Sequence, residues 1–238
     1  MRAALASPAL LAALIVSNAH AGGDAALSDA RWLAPDTDIA AFLTAPADEC
    51  LGVPSDEDEA WRVEAGRALF RSPLVLGGPA ARYGLSCNSC HRDGRDNPHF
   101  FLEGLSGAPG GADVTSALFS TSREDGAFNP KPIPDLAGAG TKSALGSSGR
   151  FHDLEGFIAS AVSEEFQGAA PETVIGALAS YVRALDRRSC GRPQPQGLVR
   201  ALSDLRRALA AIDGALERGD RAAADALFLA ALQDLKRF

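Results

Sequence analysis

The sequence contains the stretch Cys87-Asn88-Ser89-Cys90-His91, from which most of its predicted structure follows. Its two cysteines are three residues apart, so on one helical turn both thiols face the same side. This spacing is typical of covalent haem attachment, in which each thiol forms a thioether with a porphyrin vinyl group. The imidazole of His91 then binds the iron from the proximal face.

Two other interpretations of this motif fit less well. A structural zinc site needs four ligands, usually with a second Cys/His pair at short spacing, and no such pair is present in the sequence. A redox-active Cys-x-x-Cys is expected to follow a strand in a βαβ pattern, which the neighbouring sequence lacks. One covalent haem c, bound through Cys87, Cys90 and His91, is therefore the predicted cofactor.

The first residues have the pattern of an export signal. Met1-Arg2 is a short basic start, residues 3–16 carry no charge, and Ala19-His20-Ala21 has the small-x-small pattern of a cleavage site. The apolar run is too short for a spanning helix, and an uncleaved N-terminal anchor is the alternative. Cleavage after Ala21 predicts a periplasmic protein with no membrane span.

The predicted mature chain is acidic. Removing 21 of the 238 residues leaves 217 and takes away Arg2, so the formal net charge changes from −7 to −8. An acidic chain argues against a nucleic-acid partner, which requires clustered Lys and Arg. It suits a protein that meets a basic redox partner in the periplasm by electrostatic steering.

Helices are easier to find in the sequence than strands. Ser55 is the expected N-cap of a helix that runs to Phe70, with acidic residues in its first turn. Apolar spacing predicts further helices over 153–166 and 171–186, with Pro171 at the first helical position of the latter. Residues 93–149 are rich in Gly, Pro, Ser, Asn and Asp, and predict a long packed loop.

Two more cysteines, Cys50 and Cys190, lie outside the haem motif. A disulfide between them is the simplest assignment in an oxidising compartment. Because they flank the pair of helices that should pack together, such a bridge would clamp the ends of the domain. The alternative is that both are free and buried.

Several segments resemble bacterial cytochrome c peroxidases. Residues 64–74 (EAGRALFRSPL), followed by Leu85-Ser86 and the haem motif, are similar to the haem-entry segment of that family. Residues 133–136 (IPDL) and 149–155 (GRFHDLE) resemble its downstream segments, and residues 177–185 resemble its closing helix. The resemblance covers about residues 60–188.

The resemblance implies an all-α fold, a cytochrome c-like helical domain around one covalent haem with long irregular loops. Two periodic helices about Gly219 predict a C-terminal helical hairpin. The predicted organisation is a signal peptide (1–21), an N-terminal leader segment (22–54), the haem domain (55–192) and the hairpin (193–238).

One difference from that family bears on function. Its enzymes carry two haem domains and two Cys-x-x-Cys-His motifs, whereas this chain has one such motif. The second haem of those enzymes stores an oxidising equivalent. The sequence therefore favours a monohaem c-type cytochrome that transfers electrons, with a peroxidase-like haem enzyme as the alternative and a structural or sensory haem protein as a third class.

The sixth iron ligand stays open at this point. Met1 is the only methionine, so the sequence excludes a His/Met cytochrome. His152, His99 or no protein ligand are the alternatives. If the iron has no sixth ligand, the resemblance implies an acid–base carboxylate, for which Glu165 is the first candidate and Glu164 the second.

Overall fold

The computed structural model describes residues 31–146, 148–194 and 196–235, so the predicted signal peptide lies outside the described residues. The described chain is mostly helical, and none of its helices is long and apolar enough to cross a membrane. The helices are α1 (Ile39–Thr44), α2 (Glu57–Phe70), α3 (Pro73–Leu76), α4 (Gly78–Tyr83), α5 (Cys87–Cys90), α6 (Leu154–Ser160), α7 (Glu172–Ala184), α8 (Leu198–Glu217) and α9 (Arg221–Leu235). The strands β1 (Gly111–Ala112) and β2 (Lys131–Pro132) pair antiparallel.

Helices α2 and α7 pack against each other at the centre of the molecule, as their apolar spacing predicts. Leu69 of α2 and Leu178 of α7 are buried in this contact. Gly66 lets the two backbones approach closely, because a Cβ atom at this position would overlap the carbonyl oxygen of Ala177. The short distance between α2 and α7 therefore depends on the absence of a side chain at Gly66 as well as on the apolar residues around it.

The ends of these two helices differ from the prediction. Asp56, rather than Ser55, caps α2, and its carboxylate accepts a hydrogen bond from the backbone N–H of Glu59 at 2.9 Å. This cap places the acidic residues 57–59 at the first three helical positions, next to the positive end of the helix. Pro171 is the N-cap of α7 rather than its first residue, and α7 ends at Ala184 because Leu185 turns extended and pairs with Leu51.

The predicted disulfide between Cys50 and Cys190 is present. It joins the segment before α2 to the segment after α7. Beside it, the N–H of Gly52 donates to the carbonyl of Ala184 and the N–H of Asp186 donates to that of Cys50, both at 2.9 Å. The bridge therefore holds together the two chain segments that lead into and out of the central helix pair.

The C-terminal hairpin is also present, with α8 and α9 antiparallel about Gly219, where φ is +71°. It packs on α2 through Trp61, whose indole N–H donates to the carbonyl of Ala211 at 3.0 Å. Gly214 makes room for the indole, since an added Cβ would lie 2.6 Å from its ring atoms.

A buried ion cluster connects the hairpin to the end of the Cys-x-x-Cys-His motif. Arg71, the C-cap of α2, and Arg200 of α8 each bind the carboxylate of Asp93, two residues after His91, at 2.9 Å. Glu49 completes the cluster through Arg67 at 2.6 Å. Burial alone raises the pKa of Glu49, but the neighbouring arginines and a hydrogen bond from Tyr181 reverse this and lower it to about 2.

Candidate functional site

The Cys-x-x-Cys-His motif forms the short helix α5. Ser86 and Ser89 close a capping box at its N-terminus. The two middle residues of the motif fix the chain that follows, because Asn88 accepts from the N–H of Asp93 at 2.9 Å and the carbonyl of Ser89 accepts from the side chain of Asn97 at 2.9 Å. The side chain of Asn88 and the backbone of Ser89 therefore both hold the turn after His91, while the hydroxyl of Ser89 serves the cap.

The imidazole of His91 is held by a backbone carbonyl. Its Nδ1 lies 3.0 Å from the carbonyl oxygen of Pro134. Because a carbonyl only accepts, the proton is on Nδ1 and the lone pair is on Nε2. Burial lowers the pKa of His91 to about 4, so the ring is neutral at pH 7. A neutral imidazole with one nitrogen fixed by a carbonyl is the usual state of a histidine that binds a metal.

The carbonyl of Pro134 is itself positioned by the next residue, Asp135. Arg95, four residues after His91, binds both oxygens of this carboxylate at 2.9 and 2.7 Å. Arg187 adds an ion pair at 3.2 Å, and the N–H of Ala137 donates to the same carboxylate at 2.8 Å. The segment that carries the acceptor is thus tied to the segment that carries His91.

Cys87 and Cys90 are free thiols, while Cys50 and Cys190 are joined. Both retain partial exposure, yet protein atoms surround the sulfurs closely enough that burial raises the pKa of Cys87 to about 12 and that of Cys90 further. Thiol exchange and zinc binding both require a thiolate. The protonated thiols therefore argue against thiol exchange, whereas a bound zinc ion would itself displace the protons, so the raised pKa values do not bear on zinc binding.

Glu165 lies near these thiols, since its negative charge contributes to the raised pKa of both. The predicted helix over 153–166 is regular only as far as Ser160 and continues as a π-helical turn, Ala161–Glu165. Such turns occur frequently at functional sites. The side chain is 12% exposed, and its pKa is raised to about 7 by burial, partly offset by Arg123 at 3.3 Å.

Glu164, the second candidate for the acid–base carboxylate, is placed differently. Its side chain is 46% exposed and forms an ion pair with Arg150 at 2.5 Å. The hydrogen bond from Arg150 lowers its pKa, so it is ionised at neutral pH. A surface carboxylate held by arginine is a poor proton donor, and of the two residues only Glu165 contributes to the raised pKa of Cys87 and Cys90.

The two candidate sixth ligands are both exposed. Nδ1 of His152 lies 3.0 Å from the carbonyl of Ser143, which leaves Nε2 as the free nitrogen, as in His91. The ring of His99 packs against Phe42 at 5.6 Å and lines a surface cavity of about 260 Å³ with Arg92 and Asp96. Within the described chain no hydrogen bond or ring contact joins either histidine to the motif.

Comparison with known proteins found no match, neither among protein-family models nor among curated proteins nor among solved structures.

The motif offers three groups that could hold a cofactor. Two thiols on one helical turn offer sulfur, and His91 offers a neutral imidazole nitrogen on the next residue. Glu165 supplies a carboxyl that titrates near neutral pH. Sequence reasoning missed Arg95, Asp135 and Arg123, because each acts through a partner about 40 residues away and no local pattern marks such pairs.

Proposed function

We propose that this protein is an exported monohaem c-type cytochrome that transfers electrons to a redox partner in the periplasm. The observation that carries the proposal is the neutral His91, with Nδ1 on the carbonyl of Pro134 and Nε2 free, next to two protonated thiols one helical turn apart. A haem bound there supplies a one-electron iron couple. The resemblance to bacterial cytochrome c peroxidases supports the same cofactor.

The chain's own contribution is to fix the ligand and the attachment points. The hydrogen bond to Pro134 orients the imidazole and raises the basicity of its free nitrogen. Helix α5, capped by Ser86 and Ser89, sets the spacing of the two sulfurs. In the electron-carrier proposal His152 is the sixth ligand, and its Nδ1 on the carbonyl of Ser143 leaves the nitrogen that this role requires.

A second candidate function is favoured by Glu165. A buried carboxyl with a pKa of about 7 can both donate and accept a proton at physiological pH, which is the property of a general acid–base group. If His152 does not bind the iron, the protein is a haem enzyme that reduces hydrogen peroxide or oxidises another substrate, with Glu165 moving the proton. The exposed Glu164 is the natural control for this role.

The optical and electron-resonance spectra of the ferric protein separate these two functions. The carrier is expected to be low-spin and unchanged by cyanide or peroxide, and His152→Ala is expected to make it high-spin while His99→Ala does not. The enzyme function is favoured instead if the wild-type protein is high-spin and binds cyanide. Its peroxide reduction should then fall in Glu165→Gln but not in Glu164→Gln. A protein without haem contradicts both.

A further inference from the structure

The hairpin carries most of the exposed apolar side chains of the molecule. Of the fifteen large apolar residues that are exposed in the described chain, nine lie on α8 and α9. The inner side of the hairpin packs against the rest of the molecule, where Ala208, Ala211 and Leu227 are buried. The exposed residues are therefore a second apolar surface, directed away from the body. Concentrated apolar surface of this kind usually marks an interaction site.

This surface has helical periodicity. Six of the nine residues form what we call the outer face of the hairpin: Leu202, Leu209, Leu216, Phe228, Leu232 and Leu235. Along α8, the half-buried Leu205 and Ile212 alternate with the exposed leucines at spacings of three and four, the pattern of helices that pack side by side. On α9 the exposed residues follow the same four-and-three spacing.

Two opposite charges beside the outer face lie on either side of Leu209, at nearly equal distances. Leu202 and Leu216 each lie seven residues from Leu209, and Arg206 and Asp213 lie three and four residues from it on opposite sides along the chain. Arg206 and Asp213 are exposed, and neither has an ion-pair partner within the described residues. They also cannot pair with each other, because residues seven apart on a helix are about 10 Å apart along its axis.

We propose that the outer face is the interface between two copies of this chain. A two-fold axis at Leu209 places the α8 helices antiparallel, with Leu209 against its own copy and Leu202 against Leu216 of the partner subunit. The same axis places Arg206 against Asp213 of the partner subunit, twice. The positions of Arg206 and Asp213 make the outer face complementary in charge to a second copy of itself, which binding to a lipid surface or to an unrelated protein would not require.

The size of the outer face fits this occupant. The helix α8 has 20 residues, so the face is about 30 Å long, and two helices make it about 20 Å wide. A stable protein–protein interface buries about 800 Å² on each partner, which is of the same order. Pairing two hairpins in this way gives a four-helix arrangement in which the apolar residues of both outer faces are covered.

The test is the oligomeric state of the full mature protein by sedimentation velocity over a range of concentrations. The wild-type protein is expected to dimerise, and Leu209→Asp is expected to be monomeric, whereas Phe128→Asp, at an exposed residue outside the hairpin, is expected to remain dimeric. Circular dichroism checks that both variants are folded.

Charge reversal gives a stricter test that does not alter the apolar face. Arg206→Glu alone and Asp213→Arg alone are each expected to weaken the dimer roughly tenfold, because two pairs become repulsive. The double variant is expected to restore the wild-type dissociation constant, while Arg82→Glu, at an exposed arginine away from the hairpin, has no effect. A wild-type protein that is monomeric throughout, including one that binds anionic vesicles instead, overturns the proposal, as does a double variant weaker than both single ones.

Discussion

The orientation of His91 depends on a carboxylate that does not touch it. Asp135 holds the carbonyl of Pro134 in place through Arg95 and Arg187. Asp135→Asn is expected to lower the free energy of unfolding by about 1–2 kcal/mol, because a partly buried charged pair is lost. In the haem-loaded protein it is expected to raise the reduction potential, because a loosened hydrogen bond makes the imidazole a weaker ligand.

Denaturant unfolding and potentiometry measure these two effects. Glu155→Gln is the matched control, since Glu155 forms an ion pair with Arg183 in which both side chains are 45% exposed. That variant is expected to change stability by less than about 0.5 kcal/mol and to leave the potential unchanged. Equal effects of the two variants would show that Asp135 has no special relation to His91.

Glu165 makes stability depend on pH in a direction opposite to that of most carboxylates. Its pKa is raised from 4.5 to about 7 in the folded protein, so the folded state keeps a proton that the unfolded state releases. The contribution of this proton to the free energy of unfolding is fully present below pH 4.5 and is lost as the pH rises through about 7. We expect it to amount to roughly 3 kcal/mol at most.

Guanidinium unfolding of wild type and Glu165→Gln at pH 4.5 and pH 7.5 tests this prediction. The glutamine variant is expected to gain stability relative to wild type at the higher pH, because it has no proton to lose. Glu164→Gln, at the exposed neighbour, controls for the loss of a charge in the same turn. Parallel pH profiles for wild type and Glu165→Gln would contradict a buried, protonated Glu165.

At the scale of elements, the α2–α7 contact depends on Gly66. Gly66→Ala is expected to destabilise the protein by about 3 kcal/mol, because the new methyl group would overlap the carbonyl of Ala177 and force the helices apart. Gly176→Ala on α7 is the control, since no atom lies within 4 Å of the added carbon. It is expected to be neutral or to stabilise by up to about 1 kcal/mol. Thermal unfolding of both variants measures the difference, and similar melting temperatures would contradict the close approach.

The elements themselves could be predicted from the sequence because they rest on local patterns. The apolar spacing of α2 and α7, the hairpin about Gly219 and the pairing of Cys50 with Cys190 are all as predicted. The predicted N-cap of α2 was wrong by one residue. Ser55 and Asp56 are both favourable N-cap residues, and only the position of the acidic first turn, residues 57–59, distinguishes the two choices. The π-helical turn before Phe166 has no local pattern, so the placement of Glu165 could not be derived from helical periodicity.

At the scale of the whole molecule, the contacts that join distant segments were not predictable. Glu49, Arg67, Arg71, Asp93 and Arg200 come from four separate segments, and their pairing depends on the finished fold. The sequence offered only single charged residues at these positions, which are usually solvent-exposed. This cluster ties the hairpin to the residues just after His91, so the hairpin is joined to the region of the Cys-x-x-Cys-His motif and is not an independent appendage.

The four cysteines provide a prediction for the whole chain. The disulfide of Cys50 and Cys190 consumes two thiols, and the proposed haem attachment would consume Cys87 and Cys90, so the denatured, unreduced protein is expected to show no reactive thiol. The Cys50→Ala/Cys190→Ala variant is expected to lose roughly 4 kcal/mol of stability, because the bridge closes a long loop. A thiol-reactive dye counts the reactive thiols, and denaturant unfolding measures the loss of stability. Two reactive thiols would mean that one of the two pairs is free.

The most direct test of the account is whether haem is bound covalently through Cys87 and Cys90. The protein is purified from the periplasm of a host that attaches haem c, extracted with acidified acetone and weighed by mass spectrometry. We expect a mature chain that is heavier by one haem and coloured after extraction, and a Cys87→Ser/Cys90→Ser variant that carries no haem. A wild-type chain with the unmodified mass, or haem that passes entirely into the acetone, would contradict it.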